Sequence, residues 1–332
     1  MSARFFSSAP DHTMNDPRPA RLDQLVADDP RMRRAVERAT AIADTPIALL
    51  LEGEPGVGKG TFAEAFHRSG PRAARPFVRL HCAALSASDV DTLLFGSAPA
   101  AGTPTARNGG GRILAASGGT LFIDAVGELP AEAQLRLLQV LREGQVVPPG
   151  SAQAVAVDLA LVCASGQHLP DAVAAGRFRE DLYFTLNGLT ITLPALRTRS
   201  DRLCIARTML ARHAPRRALI LSPPVVSLIE QHPWPGNLRQ LDNMLKVAVA
   251  LVPADQPCIG LAHLPEDVVD TAGDPHAPGG GDLRATTRWA IDAALARTGG
   301  NVSAAARLLG ISRNTLYRRL APGPDGGDPD RG

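Results

Sequence analysis

Residues 53–59 read GEPGVGK, the G-x-x-x-x-G-K spacing of a phosphate-binding loop. They follow the apolar run Ile47 to Leu51 and precede a helical pattern from about Thr61 to Arg68, the context such a loop requires. Gly53, Gly56 and Gly58, interleaved with Glu54, Pro55 and Val57, let successive backbone N–H groups face phosphate oxygens. The following helix adds its dipole, and Lys59, one of only two lysines in the chain, would pair with the β and γ oxygens of ATP, or with the β oxygens of ADP. The next residue, usually a Ser or Thr that ligates magnesium, is Gly60, with Thr61 one position late. Magnesium then needs an acid from elsewhere. Asp124, closing the buried-strand pattern TLFID, is the candidate, expected to face the phosphate loop across adjacent strands.

A second chemistry lies near the C-terminus, where Leu283 to Leu320 holds seven arginines against one acid, Asp292. The stretch GGNVSAAARLLGISRNTLYRRL predicts a short Ala-rich helix, a turn at Gly310 and a second helix capped by Ser312. That is a helix-turn-helix spacing, whose second helix enters the major groove of double-stranded DNA. Arg313, Asn314 and Thr315 would lie near base edges and Tyr317, Arg318 and Arg319 near phosphates, with Ser303 a further DNA-contact candidate. The segment before it lines up Leu283, Trp289 or Ala290, Ala293 and Ala294 on one side, a face suited to packing within one small bundle.

These residues need a scaffold. Thr120 to Ile123 and Val155 to Ala164 read as buried strands, Pro30 to Ala43 as a helix, and Ala131 to Arg142 spaces its leucines along one helical face. Strands alternating with helices predict the α/β class, a parallel sheet covered on both faces. From Asp201 to about Val252 the pattern is helical, broken at HPWPGN (232–237), where two prolines and a glycine forbid continuation. The expected organisation is a loose leader over 1–20, an α/β nucleotide-binding subdomain over 21–200 and a helical lid subdomain over 201–269. A Gly- and Pro-rich linker over 270–282, the helix-turn-helix unit over 283–320 and a polar tail over 321–332 complete it. So short a leader is expected to leave no room for a sensory domain.

A formal net charge of +2 over 332 residues excludes a uniformly basic coat, so any DNA-facing charge must be local. Cys82, Cys163, Cys204 and Cys258 lie far apart, without a CxxC pair, and predict buried thiols rather than zinc or disulfides. No apolar run approaches the roughly 20 residues of a membrane span, and MSARFFSSAP lacks a signal peptide's apolar core. The expectation is a cytoplasmic protein with no membrane partner.

The motifs GEPGVGKG, HCAAL (81–85), LFG (94–96), GGTLFID (118–124), GELP (127–130), GRFREDLY (176–183), LPALRTR (193–199) and WPGNLRQL (234–241) carry a resemblance. From about Arg21 to Leu320 the chain resembles the bacterial enhancer-binding activators that work with sigma-54 RNA polymerase. The resemblance implies an AAA+ P-loop domain with a parallel sheet and helical lid, followed by a small all-α Fis-type helix-turn-helix domain. It implies that Lys59 is the phosphate lysine, Asp124 the magnesium-side acid, Arg179 an arginine reaching a neighbour's nucleotide and Arg239 the lid's sensor arginine. It also implies a homo-oligomer, a dimer through the Fis-type end and a hexamer through the AAA+ domain.

Four positions depart from the family's pattern. Ala125 replaces the catalytic Glu, Gly166 the sensor Asn or His, and Thr185 the second trans-acting arginine, while AAGTPT (100–105) stands where GAFTGA is expected. The first three serve hydrolysis rather than binding. A general base contributes ~10² to 10⁴ in rate and a trans arginine ~10³ to 10⁵, so little turnover is expected while binding survives. The altered loop predicts no productive contact with the sigma factor. Three readings stay open: a DNA-binding regulator with impaired hydrolysis; a working ATPase that remodels sigma-54 polymerase, with Glu128 and Arg177 as substitutes; and a non-enzymatic repressor or architectural protein whose AAA+ fold only oligomerises.

Overall fold

Every residue of Leu49–Glu52 is buried, a pattern produced by a strand covered on both faces. The computed structural model describes residues 21–25, 28–83, 85–96, 111–148, 153–271 and position 302. Two compact units emerge, one from residues up to Glu52 and from Lys59 to Thr192, the other from Gly53–Gly58 and the chain from Leu193 onward. They are called below the sheet unit and the helical unit.

The sheet unit runs α1 (Pro30–Ile42), β1 (Leu49–Glu52), α2 (Lys59–Ser69), β2 (Phe77–His81), α3 (Ala87–Phe95), α4 (Gly111–Ala115) and β3 (Thr120–Asp124). It continues through α5 (Ala131–Glu143), β4 (Gln145–Val146), β5 (Val155–Ala156), β6 (Ala160–Ser165), α6 (Leu169–Ala174), α7 (Glu180–Leu186) and β7 (Leu189–Thr192). Five strands form one sheet in the order β2-β3-β6-β1-β7, all pairings parallel. Leu50, Leu121, Ile123 and Cys163 of its strands pack with Leu137 of α5 and Leu182 of α7 in one buried cluster. Each such aliphatic side chain contributes roughly 1.5–3 kcal/mol on burial. Helix α1 starts where Asp29 accepts the N–H groups of Arg31 and Met32, with Pro30 as its first residue.

In the helical unit, α8 (Arg202–His213), β8 (Ile220–Leu221), α9 (Pro223–Gln231), α10 (Asn237–Leu251), β9 (Cys258–Ile259) and α11 (Glu266–Thr271) follow one another. Trp234, Leu241, Met244, Leu245, Val225 and Ile229 are its buried centre. The Trp234 indole N–H donates to the Ile229 carbonyl, so this large ring is buried with its polar group satisfied.

Several expectations need correction. Strand β6 lies between β1 and β3, so Asp124 does not stand on a strand adjacent to the one that ends before the phosphate loop. The run from 155 to 164 is two strands: β5 pairs antiparallel with β4, and the Asp158 carbonyl between them accepts the Gly118 N–H. Strand β2 had no signal because it is an edge strand with only Leu80 fully buried, Arg79 and His81 facing out. Cys82 and Cys163 are buried, but Cys204 is exposed and Cys258 half-buried, and none of the four is in a disulfide. Among the described residues no helix is long and apolar enough to cross a membrane. The leader, AAGTPT (100–105), nearly all of the linker, Ser303, Arg313, Asn314, Thr315, Tyr317, Arg318, Arg319 and the tail lie outside the described residues.

Candidate functional site

The phosphate loop folds against the start of α10 within the helical unit. Gly56 has φ +82°, and a Cβ there would lie 2.3 Å from the Gly236 carbonyl oxygen, so only glycine permits the approach. The Gly56 carbonyl accepts the Leu238 N–H at 3.0 Å, capping one of the orphan donors of the α10 N-terminus. Asn237, fully buried with φ +50°, donates from Nδ2 to Glu54 Oε2 at 3.1 Å and to the Pro55 carbonyl at 3.0 Å. Its Oδ1 accepts the Leu196 N–H at 2.8 Å. Arg197 closes the arrangement by forking onto Glu54, with Nη1 2.7 Å from Oε2, and that bond raises the guanidinium pKa further. Arg239 follows on the exposed side of α10, its Cβ 3.4 Å from where a Gly56 Cβ would stand.

In the sheet unit Lys59 opens α2, the exposed Thr61 lies two residues on, and the Gly60 carbonyl accepts a hydrogen bond from Arg79. Asp124 ends β3; its Oδ1 accepts the Ala125 N–H at 3.0 Å and its Oδ2 lies 3.2 Å from His81 Nδ1. Ala125 is left-handed, with φ 56° and ψ 46°, and carries only a methyl group. The next acid, Glu128, accepts a hydrogen bond from Gln167 Nε2 at 3.2 Å. At Gly166 an added Cβ would meet nothing within 4 Å, so the missing sensor side chain leaves open space. Burial, then the charges of Asp124 and Glu128, push the Cys82 thiol up to about 12, which keeps it protonated and inert.

Arg179 precedes α7. Its backbone N–H donates to the buried Gln134, and its guanidinium forks onto Asp181 at 3.0 and 2.8 Å. The fork raises the Arg179 pKa and lowers that of Asp181. Thr185 turns its hydroxyl back to the Asp181 carbonyl at 2.8 Å.

Sequence reasoning misses two residues here. Asn237 enters it only as part of a helix break and a motif, although an Asn after Pro-Gly signals a left-handed position. Glu52 is a buried carboxylate at the end of β1, paired with His168 at 3.2 Å and accepting the Leu169 N–H. A charge closing an apolar strand was its signal.

A parallel sheet of this order, entered through a phosphate loop and followed by a helical unit, defines an AAA+ type of P-loop protein. Residues 25–192 match the family model of the Sigma-54 interaction domain, 198–279 that of the AAA+ ATPase lid domain, and 288–321 that of bacterial regulatory proteins of the Fis family. The transcriptional regulatory protein ZraR of Klebsiella oxytoca is 39% identical over 311 residues, covering 91% of this chain and 70% of that protein. The acetoin catabolism regulatory protein of Cupriavidus necator is 39% identical over 316 residues, covering 91% of this chain and 47% of that protein. A crystal structure of NtrX from Brucella abortus in complex with ATP matches with a TM-score of 0.66 and 29% identity, covering 90% of this chain and 68% of that one. The chain belongs to the sigma-54 activator family of bacterial transcriptional regulators, with a Fis-type helix-turn-helix at its DNA-binding end.

Proposed function

We propose that this regulator binds ATP or ADP through Gly53–Thr61, Asp124 and Arg239, binds DNA through its Fis-type end, and hydrolyses ATP poorly. The observation that carries the hydrolysis reading is Ala125, which offers no carboxylate to polarise water while its own N–H is held by Asp124. Glu128 is occupied by Gln167, and Thr185 has neither the length nor the charge of the arginine it replaces. In support of binding, the loop glycines and Lys59 are intact, and NtrX, a structural relative, was crystallised with ATP.

The described residues hold no cluster of three ligand side chains fit for a metal ion. Asp124, which is partly exposed and has spare lone pairs, nevertheless suits magnesium held mainly through phosphates, with the Thr61 hydroxyl two positions along the chain from the loop lysine. Such an ion would neutralise phosphate charge. Ring contacts through Arg179, dimerisation through the Fis-type end and loss of productive sigma-54 contact through AAGTPT belong to the same proposal.

Titration of a fluorescent ADP against the wild type and Lys59→Ala, with phosphate release measured in parallel, tests it. Micromolar-range affinity that drops about a hundredfold in the variant is expected, with turnover well below about one per second. Equal affinity in both proteins would remove the nucleotide assignment. Fast turnover together with ATP-dependent open complexes at a sigma-54 promoter would favour the working ATPase.

A further inference from the structure

The side-chain amide of Asn237 uses every hydrogen-bonding group it has. Nδ2 carries two protons and meets two acceptors, Glu54 Oε2 and the Pro55 carbonyl, while Oδ1 meets one donor, the Leu196 N–H. The partners fix the amide's orientation, because reversing it would set oxygen against two oxygens and NH2 against an N–H. The position also demands a residue tolerant of φ +50°, which Asn accepts more readily than other side chains. Aspartate would present oxygen to Glu54, glycine would keep the backbone but not the bonds, and a β-branched residue would lose both.

Peptide planarity turns this contact into a statement about the phosphate loop. In a trans peptide the carbonyl of one residue and the N–H of the next point in opposite directions. Fixing the Pro55 carbonyl on Asn237 therefore aims the Gly56 N–H away from α10, and fixing the Gly56 carbonyl on Leu238 does the same for the Val57 N–H. Glu54 is meanwhile drawn to Arg197 and Asn237, which keeps its carboxylate from turning toward an anion. Pro55 and Gly56 are thus held by their carbonyl oxygens, which turns the Gly56 and Val57 N–H groups away from α10, the Val57 N–H closing a turn onto the Glu54 carbonyl at 3.4 Å.

We infer that Asn237 is a positioning residue that presets the N–H groups of the phosphate loop, so that nucleotide affinity depends on it and on Glu54 as well as on Lys59. This rests on the nucleotide-binding reading above.

The test uses the full chain and two readouts. Fluorescent-ADP affinity is measured for the wild type, Asn237→Asp, Asn237→Gly, Glu54→Gln and the Asn237→Asp/Glu54→Gln double variant, below each protein's melting transition. Amide hydrogen exchange over 53–59 is followed without nucleotide. Asn237→Asp and Asn237→Gly are expected to weaken ADP by about tenfold or more and to speed exchange at Gly56. The double variant should bind ADP more tightly than Asn237→Asp without reaching wild type, because the introduced glutamine amide can donate to the introduced aspartate carboxylate while the Pro55 carbonyl stays without its donor, a graded rescue that a purely structural role would not give. Unchanged exchange and unchanged affinity in folded Asn237→Gly would overturn the inference, as would a double variant no better than Asn237→Asp. Should the wild type bind ADP no better than Lys59→Ala, the nucleotide reading falls, and the exchange measurement still decides whether Asn237 holds the loop.

Discussion

Glu54 lies within the phosphate-loop motif and Glu128 a few residues after Asp124, yet the structure treats them differently. Glu54 is enclosed by Arg197 and by the fully buried Asn237, whose amide also bonds the backbone at Pro55 and Leu196. Glu128 meets Gln167 across an exposed contact, beside the Asp124–His81 pair and the bare positions Ala125 and Gly166. Where polar groups are buried and mutually satisfied, each change leaves a partner unpaired at a cost of roughly 1–3 kcal/mol, so the network resists substitution. Where they are exposed, water replaces a lost partner and side chains can be exchanged at little cost. Residues on the exposed side can therefore be exchanged at less cost than those on the buried side.

That contrast is broken most severely by rebuilding the exposed side. Ala125→Glu, Gly166→Asn and Thr185→Arg together are expected to raise phosphate release by more than about 10³, while Ala125→Glu alone recovers little. Gly166→Asn should enter without loss of stability, since nothing lies within 4 Å of its Cβ position. Full recovery by the single Glu would show that the defects are not separate.

On the buried side the expected effects fall on folding. Arg199 and Asp201 form a two-bond fork at 2.8 and 2.7 Å with side chains only 5% and 1% exposed. Arg199→Ala removes both bonds of the fork from the buried Asp201 and should cost about 3–5 kcal/mol in denaturant unfolding. A loss well under 1 kcal/mol would mean that burial does not protect this unit's polar network.

A somewhat smaller effect is expected from pH. His232 accepts the Trp234 N–H at Nδ1, packs on the indole, and has no partner for its buried Nε2; burial depresses its pKa to about 4, while Asp267 pulls it upward. The folded state favours neutral imidazole, so this stability is complete above about pH 6.5 and is lost as pH falls toward 4. The loss is up to about 3 kcal/mol. Unfolding free energies at pH 7 and pH 4.5 should show the slope, and His232→Gln should flatten it.

Much of the fold could be read from the sequence because its strongest signals were local. IALLL, TLFI and the leucine spacing of Ala131 to Arg142 mark buried elements by composition and period, and they recur as β1, β3 and α5. Strand order was not legible, since only the pairing of β6 with both β1 and β3 reveals that it separates them. Edge strand β2 escaped because only one of its five side chains is buried, with Arg79 and His81 facing water. In the site, the loop glycines announced themselves by motif, whereas Asn237 and Arg197 depend on contacts across 183 and 143 residues to Glu54. No window along the chain contains such a pair.

The two Arg-x-Asp forks isolate the effect of environment most cleanly, because their local geometry is nearly the same. Arg179 reaches Asp181 at 3.0 and 2.8 Å, as Arg199 reaches Asp201 at 2.8 and 2.7 Å, but the side chains of the first pair are 43% and 35% exposed. Solvent screens an exposed fork and solvates either partner left alone, so Arg179→Ala should leave the melting temperature unchanged within measurement. The backbone N–H of residue 179 still donates to Gln134 in the variant, which keeps the start of α7 anchored. If Arg179 reaches a neighbour's nucleotide, its removal should instead lower phosphate release in the rebuilt Ala125→Glu/Gly166→Asn/Thr185→Arg background, and only at protein concentrations where subunits assemble. A marked fall in melting temperature would show that the exposed fork carries folding energy after all, and that exposure is not what separates it from its buried counterpart.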